Sequence, residues 1–332
     1  MWNEIYDRNK MNILFFLIAT FDYSLKSRIG FFYDDNIYAY SKKYLNEFSH
    51  QIHPERFPFE TYDDLYTNYD LQVLIRNKFL GQWTTTWNFD FTGYNYLVNQ
   101  QKDFFLIGAG IRQVLARMAI KLEFLFIPNY LIRYYKDPKD SKYIGCAFSE
   151  KLFSLKSGVK ISRAIETNFK IAYEIDDYIE NFDVYDSKAI RFGPDIKFSL
   201  SRAIELGIDY EFKSSKAKGP TPDISYLQHK IGINTGLKTG IPEFAELILD
   251  YQMKYRIFTT EVSPILDTPH SGREDLTQQF KSIYKFPIFT SLYLSLNYTL
   301  EFRNSSSEVY PNIGDYKNYN KWMVGVGLEF QY

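Results

Sequence analysis

The segment Lys321-Trp322-Met323-Val324-Gly325-Val326-Gly327-Leu328-Glu329-Phe330-Gln331-Tyr332 divides into two rows when every second residue is taken. Trp322, Val324, Val326, Leu328, Phe330 and Tyr332 form one row, and Lys321, Met323, Gly325, Gly327, Glu329 and Gln331 form the other. Successive side chains of a strand point to opposite sides, so the segment reads as a strand with one apolar face and one polar face. The same alternation runs through Leu292–Arg303, Ile204–Lys213, Ile165–Asp176 and Trp83–Phe91.

Composition narrows what such strands can build. The chain has 29 Tyr and 29 Phe, yet 24% of its residues are charged and its mean hydropathy is -0.33. It contains no run of about 18 apolar residues, so a bundle of transmembrane helices is excluded. A transmembrane barrel escapes that test, because half of each strand faces a polar lumen. The net charge of -1 offers no basic face to nucleic acid. Cys146 is the only cysteine, which excludes a disulfide framework and leaves it no thiol partner for a metal site.

Connections alternate between short and long. Ser162-Arg163-Ala164 and Ser201-Arg202-Ala203 join strand pairs through the same tripeptide, each followed by Ile-Glu. Longer polar stretches separate the pairs: Ser214–Ser225, Glu261–Thr277 and Asn304–Asn318. Tight turns on one side and long loops on the other are the pattern of a membrane barrel. The pattern predicts about fourteen strands, near 26–33, 69–77, 83–91, 103–113, 117–135, 142–161, 165–177, 191–200, 204–214, 226–237, 245–260, 277–286, 290–304 and 319–332. Many reach the roughly 9–11 residues that a tilted transmembrane strand needs, where soluble strands cluster at about 5–6. Trp83, Tyr210, Tyr255, Phe302, Trp322 and Tyr332 sit near the ends of apolar rows, as interfacial girdles do. A soluble sandwich also alternates, but lacks these three features.

In its last strand and its terminal aromatic, the chain resembles the porin-like outer-membrane β-barrel proteins of bacteria. That resemblance implies a transmembrane antiparallel up-and-down barrel with short periplasmic turns and longer extracellular loops, located in the outer membrane of a Gram-negative-type bacterium. It implies outer-membrane lipid and the barrel assembly machinery as partners. It also makes Trp322, Val324, Val326, Leu328, Phe330 and Tyr332 the assembly signal. Arg8 and Lys10 ahead of Ile13–Ala19 read as a signal-peptide n-region and h-region, so residues 1–24 are expected to be a leader and residues 25–332 a single barrel domain. An ordinary first strand is the other reading of that segment.

If apolar rows meet lipid, the charged rows line the lumen. Lys170, Glu174, Glu205, Asp209, Glu211, Asp250, Lys254, Arg256, Lys281, Glu301 and Arg303 are the candidates. Mixed signs point to ion pairs that brace the wall; a single-sign ring would have pointed to ion selectivity. Acids concentrate between residues 166 and 211 and bases between 254 and 285, which would set a field across a narrow waist. Residues 34–68 form the longest connection, and a loop of this length is expected to fold into the mouth or to move. Its acids, Asp34, Asp35, Asp63 and Asp64, read as solvated turn residues, and His50 and His53 are too few for a metal site. His229 belongs to the lipid-facing row near the outer rim and His270 to a loop.

No catalytic motif occurs, and neither a cofactor nor a metal is expected. Three functions remain: a pore for a small polar solute, an occluded scaffold barrel binding a partner through its loops, and, third, an enzyme.

Overall fold

The computed structural model describes residues 21–79, 83–137, 140–239 and 245–332. The chain is all-β: fourteen antiparallel strands among these residues form one closed barrel. They are β1 (Phe21–Asp34), β2 (Asp64–Phe79), β3 (Trp83–Tyr96), β4 (Phe104–Leu115), β5 (Met118–Lys136), β6 (Tyr143–Lys160) and β7 (Ile165–Tyr178). The second half comprises β8 (Ser187–Ser199), β9 (Ile204–Ala217), β10 (Tyr226–Lys238), β11 (Glu246–Phe258), β12 (Arg273–Phe289), β13 (Leu292–Ser307) and β14 (Tyr319–Gln331). Each strand pairs with its neighbours in sequence, and β1 closes the ring on β14 from Lys26↔Gln331 to Asp34↔Met323. Leu25 and Tyr332 exchange backbone hydrogen bonds of 2.9 and 2.8 Å at the end of this seam. Closure leaves no strand edge unpaired.

Several strands run longer than the sequence reading predicts: β3 continues to Tyr96, β8 opens at Ser187 and β12 at Arg273, and the starts of β1 and β2 move as well. Residues 21–24, expected within the leader, begin β1 and pair with β2 from Phe21↔Asn77; residues 1–20 of that expectation lie outside the described residues. β2 starts at Asp64 rather than near 69, because Leu65 faces outward while Tyr66 and Asn68 are buried, continuing the alternation through residues too polar to announce a strand.

Sidedness follows parity. Leu296 is 50% exposed on the outer face, whereas the adjacent Ser295 and Asn297 are buried inside. In the last strand Trp322, Val324, Val326, Leu328 and Phe330 all face outward, while Glu329 turns inward to Lys26 (3.2 Å) and Lys285 (2.5 Å). An apolar outer surface around a polar-lined wall is a surface for lipid, and the bacterial outer membrane is where such barrels reside.

The twin tripeptides make the same turn. Ser162 Oγ accepts from the Ala164 amide and Ser201 Oγ from the Ala203 amide, both at 3.1 Å. At the other end the connections carry folded structure. The loop of residues 35–63 holds α1 (Lys42–Ser49), whose first turn is capped by Ser41 Oγ accepting from the Tyr44 amide. The loop of residues 308–318 holds α2 (Ile313–Lys317), and short 3-10 turns lie at Pro54–Arg56, Gln100–Lys102 and Glu180–Tyr185.

Candidate functional site in the barrel lumen

The wall on β7, β8 and β9 is braced by buried ion pairs. Glu174, 2% exposed, accepts from Lys213 Nζ at 2.6 Å and also pairs with Arg191. Glu150 and Asp176 approach Glu174 closely, but the two cations already meet its charge. Asp209 lies 3.9 Å from Lys230, and with Lys170, Glu211 and Asn234 they line a wall recess of about 260 Å³. Its floor is Gly193-Pro194, where the β8–β9 ladder is interrupted. A Cβ on Gly193 would come within 1.9 Å of the Tyr210 carbonyl oxygen, so only glycine fits there.

The remaining candidates are dispersed. Glu205 is exposed beside the short turn that joins β8 to β9. Asp250 pairs in register with Lys281. Arg256 donates to Gln228 Oε1 at 3.0 Å and lies over the Tyr226 ring. Glu301 accepts from Gln279 and from the Tyr319 hydroxyl. Among the described residues Lys170, Lys254 and Lys281 have no ion pair. The expected separation of acids from bases is absent at short range, because Lys170, Arg191, Lys197 and Lys213 stand among the acids of β7 to β9.

Sequence reasoning missed an aromatic arc on the inner wall. Phe32, Tyr66, Tyr94, Phe104, Tyr130, Phe148 and Tyr178 come from β1 to β7 in order. Successive ring centroids are 5.2, 6.0, 4.4, 4.9, 5.7 and 5.2 Å apart. The backbone makes room for them: a Cβ on Gly325 would meet the Phe32 ring at 2.2 Å. Tyr130 reaches the arc because the register shift at Ile127/Tyr130 resets the parity of β5, and a second shift follows at Leu131/Arg133. Pro128, which has no amide hydrogen for the ladder, lies inside the shift at Ile127/Tyr130.

Facing the first part of this arc are Lys281, Asn297, Thr299, Lys321 and Met323 from β12, β13 and β14. Together the two walls enclose a cavity of about 270 Å³. Lys321 pairs with Asp34 at 2.6 Å, and Arg28 pairs with Asp70 at 2.6 Å. The hydroxyls of Tyr94 and Tyr96 at this cavity donate to no protein group among the described residues.

Above the cavity the loops fold inward. Ile37, Tyr38, Tyr40 and Phe57 of the first loop form a buried cluster with Leu131 of β5 and Ala147 of β6. Asn36 fixes the loop from within, donating to the Tyr40 carbonyl and accepting from the Tyr40 amide, both at 2.9 Å. Lys43 of α1 donates to the Tyr316 hydroxyl of α2, so the first and last loops touch. The acids of the first loop are not solvated as expected. Asp64 is 4% exposed and caps the Val98 and Asn99 amides, while Asp63 accepts from the Tyr33 hydroxyl at 2.6 Å. Asp64 is buried because it satisfies amides of the neighbouring loop, and Asp63, half-buried, is held by hydroxyls.

Lys102, 3% exposed, donates to the Leu131 carbonyl at 2.7 Å, and among the described residues no carboxylate pairs with it. Burial pushes its ammonium down to about 7, helped by Lys321 and Arg133. Burial likewise holds the Tyr38 and Tyr40 phenols above the usual range. His270 contacts Asp267 at 2.6 Å in its loop, and His229 meets the Tyr210 hydroxyl at 2.8 Å on the outer face.

No family model and no curated protein matches the chain. Solved outer-membrane barrels do. OmpT of Vibrio cholerae, in its trimer form, aligns with a TM-score of 0.50 at 7% identity, covering 94% of this chain and 99% of that one. The anion-selective porin of Comamonas acidovorans aligns at 0.49 and 6%, with the same coverage. Identity this low speaks for the fold alone.

Proposed function

We propose that this chain is a gated transport barrel that admits small polar solutes and is closed at its outer mouth by its own loops. The observation that carries this reading is the cavity beneath the inward-folded loops, bounded by an aromatic arc on one side and by Lys281, Asn297 and Thr299 on the other. A ring-bearing polar solute would lay its flat face on the rings and its hydroxyls against the polar wall. A scaffold barrel would need a wall of ion pairs only. The terminal row ending at Tyr332 is proposed to serve the assembly machinery, and outer-membrane lipid to cover the outer face. The histidines fit no hydrolytic arrangement, so an enzyme is not favoured.

One specific observation supports the occluded scaffold as second reading: Tyr38, Tyr40 and Phe57 pack over β5 and β6 as a core does. Liposome swelling separates the two. Replacing residues 42–56 by a short glycine-serine link should speed entry of a monosaccharide for a gated pore; unchanged exclusion of the sugar by the folded variant would favour the scaffold.

A further inference from the structure

The upper lumen holds a group of cations with too few anions. Arg133 is 6% exposed, and its only hydrogen bond among the described residues is from Nη2 to the Ala39 carbonyl, at 3.2 Å. Its buried Nε has no partner, and neither does the hydroxyl of Tyr40, whose ring lies 5.2 Å from the guanidinium. Lys317 of α2 lies over the Tyr135 ring at 5.9 Å, as Arg133 does, so the two cations share one ring. Arg303 of β13 donates to the Lys317 carbonyl at 2.8 Å and lies over Tyr319. The one carboxylate in this group, Asp275, is taken by Arg273 at 2.5 Å. Among the described residues no carboxylate pairs with Arg133, Arg303 or Lys317.

Burying a charge without a partner is costly, and aromatic faces and single carbonyls offset only part of that cost. Three basic side chains without a carboxylate partner among the described residues converge here from β5, β13 and the last loop, with an idle phenol from the first loop beside them. Each comes from a separate segment, which suits an ion offering several oxygens in different directions; a flat carboxylate would use fewer of the donors.

We propose that a small oxyanion of the phosphate class binds among Arg133, Arg303, Lys317 and Tyr40, and that it latches the first and last loops onto the wall at β5. Bound there, it gives Arg133 Nε an acceptor, Tyr40 an acceptor for its hydroxyl, and all three cations a counter-charge. The site stands on its own whether or not solutes cross the barrel. Burial and the nearby Arg273, Arg133 and Arg303 push the Lys317 ammonium well below the usual lysine range, so a bound anion would restore its proton.

The test uses the full chain, purified in lipid-free detergent and dialysed into chloride buffer. Inorganic phosphate is titrated in by calorimetry in two buffers of different ionisation enthalpy at neutral pH. The expected result is saturable binding with proton uptake, weakened at least about tenfold by Arg133→Gln and by Lys317→Gln, and unchanged by Lys160→Gln at the far end of β6. If Arg133→Gln does not reach a heat-modifiable barrel, Lys317→Gln in the loop decides the matter. Limited proteolysis at residues 308–318 supplies the source. Protection by phosphate in detergent assigns a free solute, and protection only in vesicles carrying lipopolysaccharide assigns a headgroup phosphate; either supports the site. Binding no tighter than chloride in both settings, or wild-type affinity in Lys317→Gln, would overturn it.

Discussion

Lys213 reaches past β8 from β9 to Glu174 on β7, and the Nζ–Oε1 distance is 2.6 Å with both side chains less than a tenth exposed. The pair skips one strand, so it ties three staves of the barrel together, with Arg191 of the strand between also on Glu174. Removing one member of a buried pair leaves the other charge without compensation. Glu174→Gln should therefore lower the stability of the folded barrel by about 3–5 kcal/mol in denaturant unfolding. Glu205→Gln, at an exposed position, should change it by less than roughly 0.5 kcal/mol.

Sidedness makes a second prediction. Leu296 is half exposed on the lipid face of β13, and Asn297 beside it lines the cavity that holds Lys281. Leu296→Arg should cost roughly 2–4 kcal/mol if it lies near the midplane, read by unfolding in vesicles. Asn297→Asp should be tolerated, with a lysine on the wall beside it. Folded, monodisperse protein in buffer without detergent would contradict the membrane assignment of the outer face.

The loop closure should depend on pH through Lys102, which sits among Asp34, Lys321, Arg133, Tyr38 and Tyr130. Its ammonium is held at about 7 in the folded state against 10.5 when free. Between those values the unfolded loop binds a proton that the folded loop does not, so stability rises with pH across this window. Below about 7 the burial penalty is present in full. Amide exchange in residues 97–103 should accordingly slow as pH is raised from 7 towards 10, after correction for intrinsic rates. Lys102→Met should remove that dependence, and a variant that kept it would assign the effect to another group.

The chain end supplies a fourth. Tyr332 and Leu25 exchange two backbone bonds at the seam, and Phe330 pairs with both Ser27 and Leu292. Deleting Phe330–Tyr332 should cut the amount of heat-modifiable barrel in the outer membrane far more than it cuts synthesis. Deleting Ser305–Ser307 near the opposite rim is expected to have a milder effect on assembly. Normal accumulation of the truncated chain in inserted form would sink the assembly role of this row.

Strand number, closure and the two faces were legible because alternation is a local property: each of Trp322, Val324 and Val326 declares its side against its neighbours. The inner aromatic arc was not legible for the same reason. In Phe31-Phe32-Tyr33 all three residues are aromatic, so the sequence does not say that Phe32 turns inward. Tyr130 was hidden by Pro128, since strict alternation from Lys121 and Glu123 sends it to the lipid. Arg133 and Lys102 became notable only through what surrounds them. Their burial depends on loops arriving from β1 and β13, far away in sequence. The eleven charged wall residues could be assigned by parity, but which of them share a partner depends on side-chain reach across strands.

Conductance in a planar bilayer tests the gated-pore reading most directly. The purified full chain should show long closed intervals broken by steps of one size, and replacement of residues 42–56 by a short link should turn these into steady open current. A loop-replaced barrel that is folded, heat-modifiable and inserted, yet electrically silent, would contradict it.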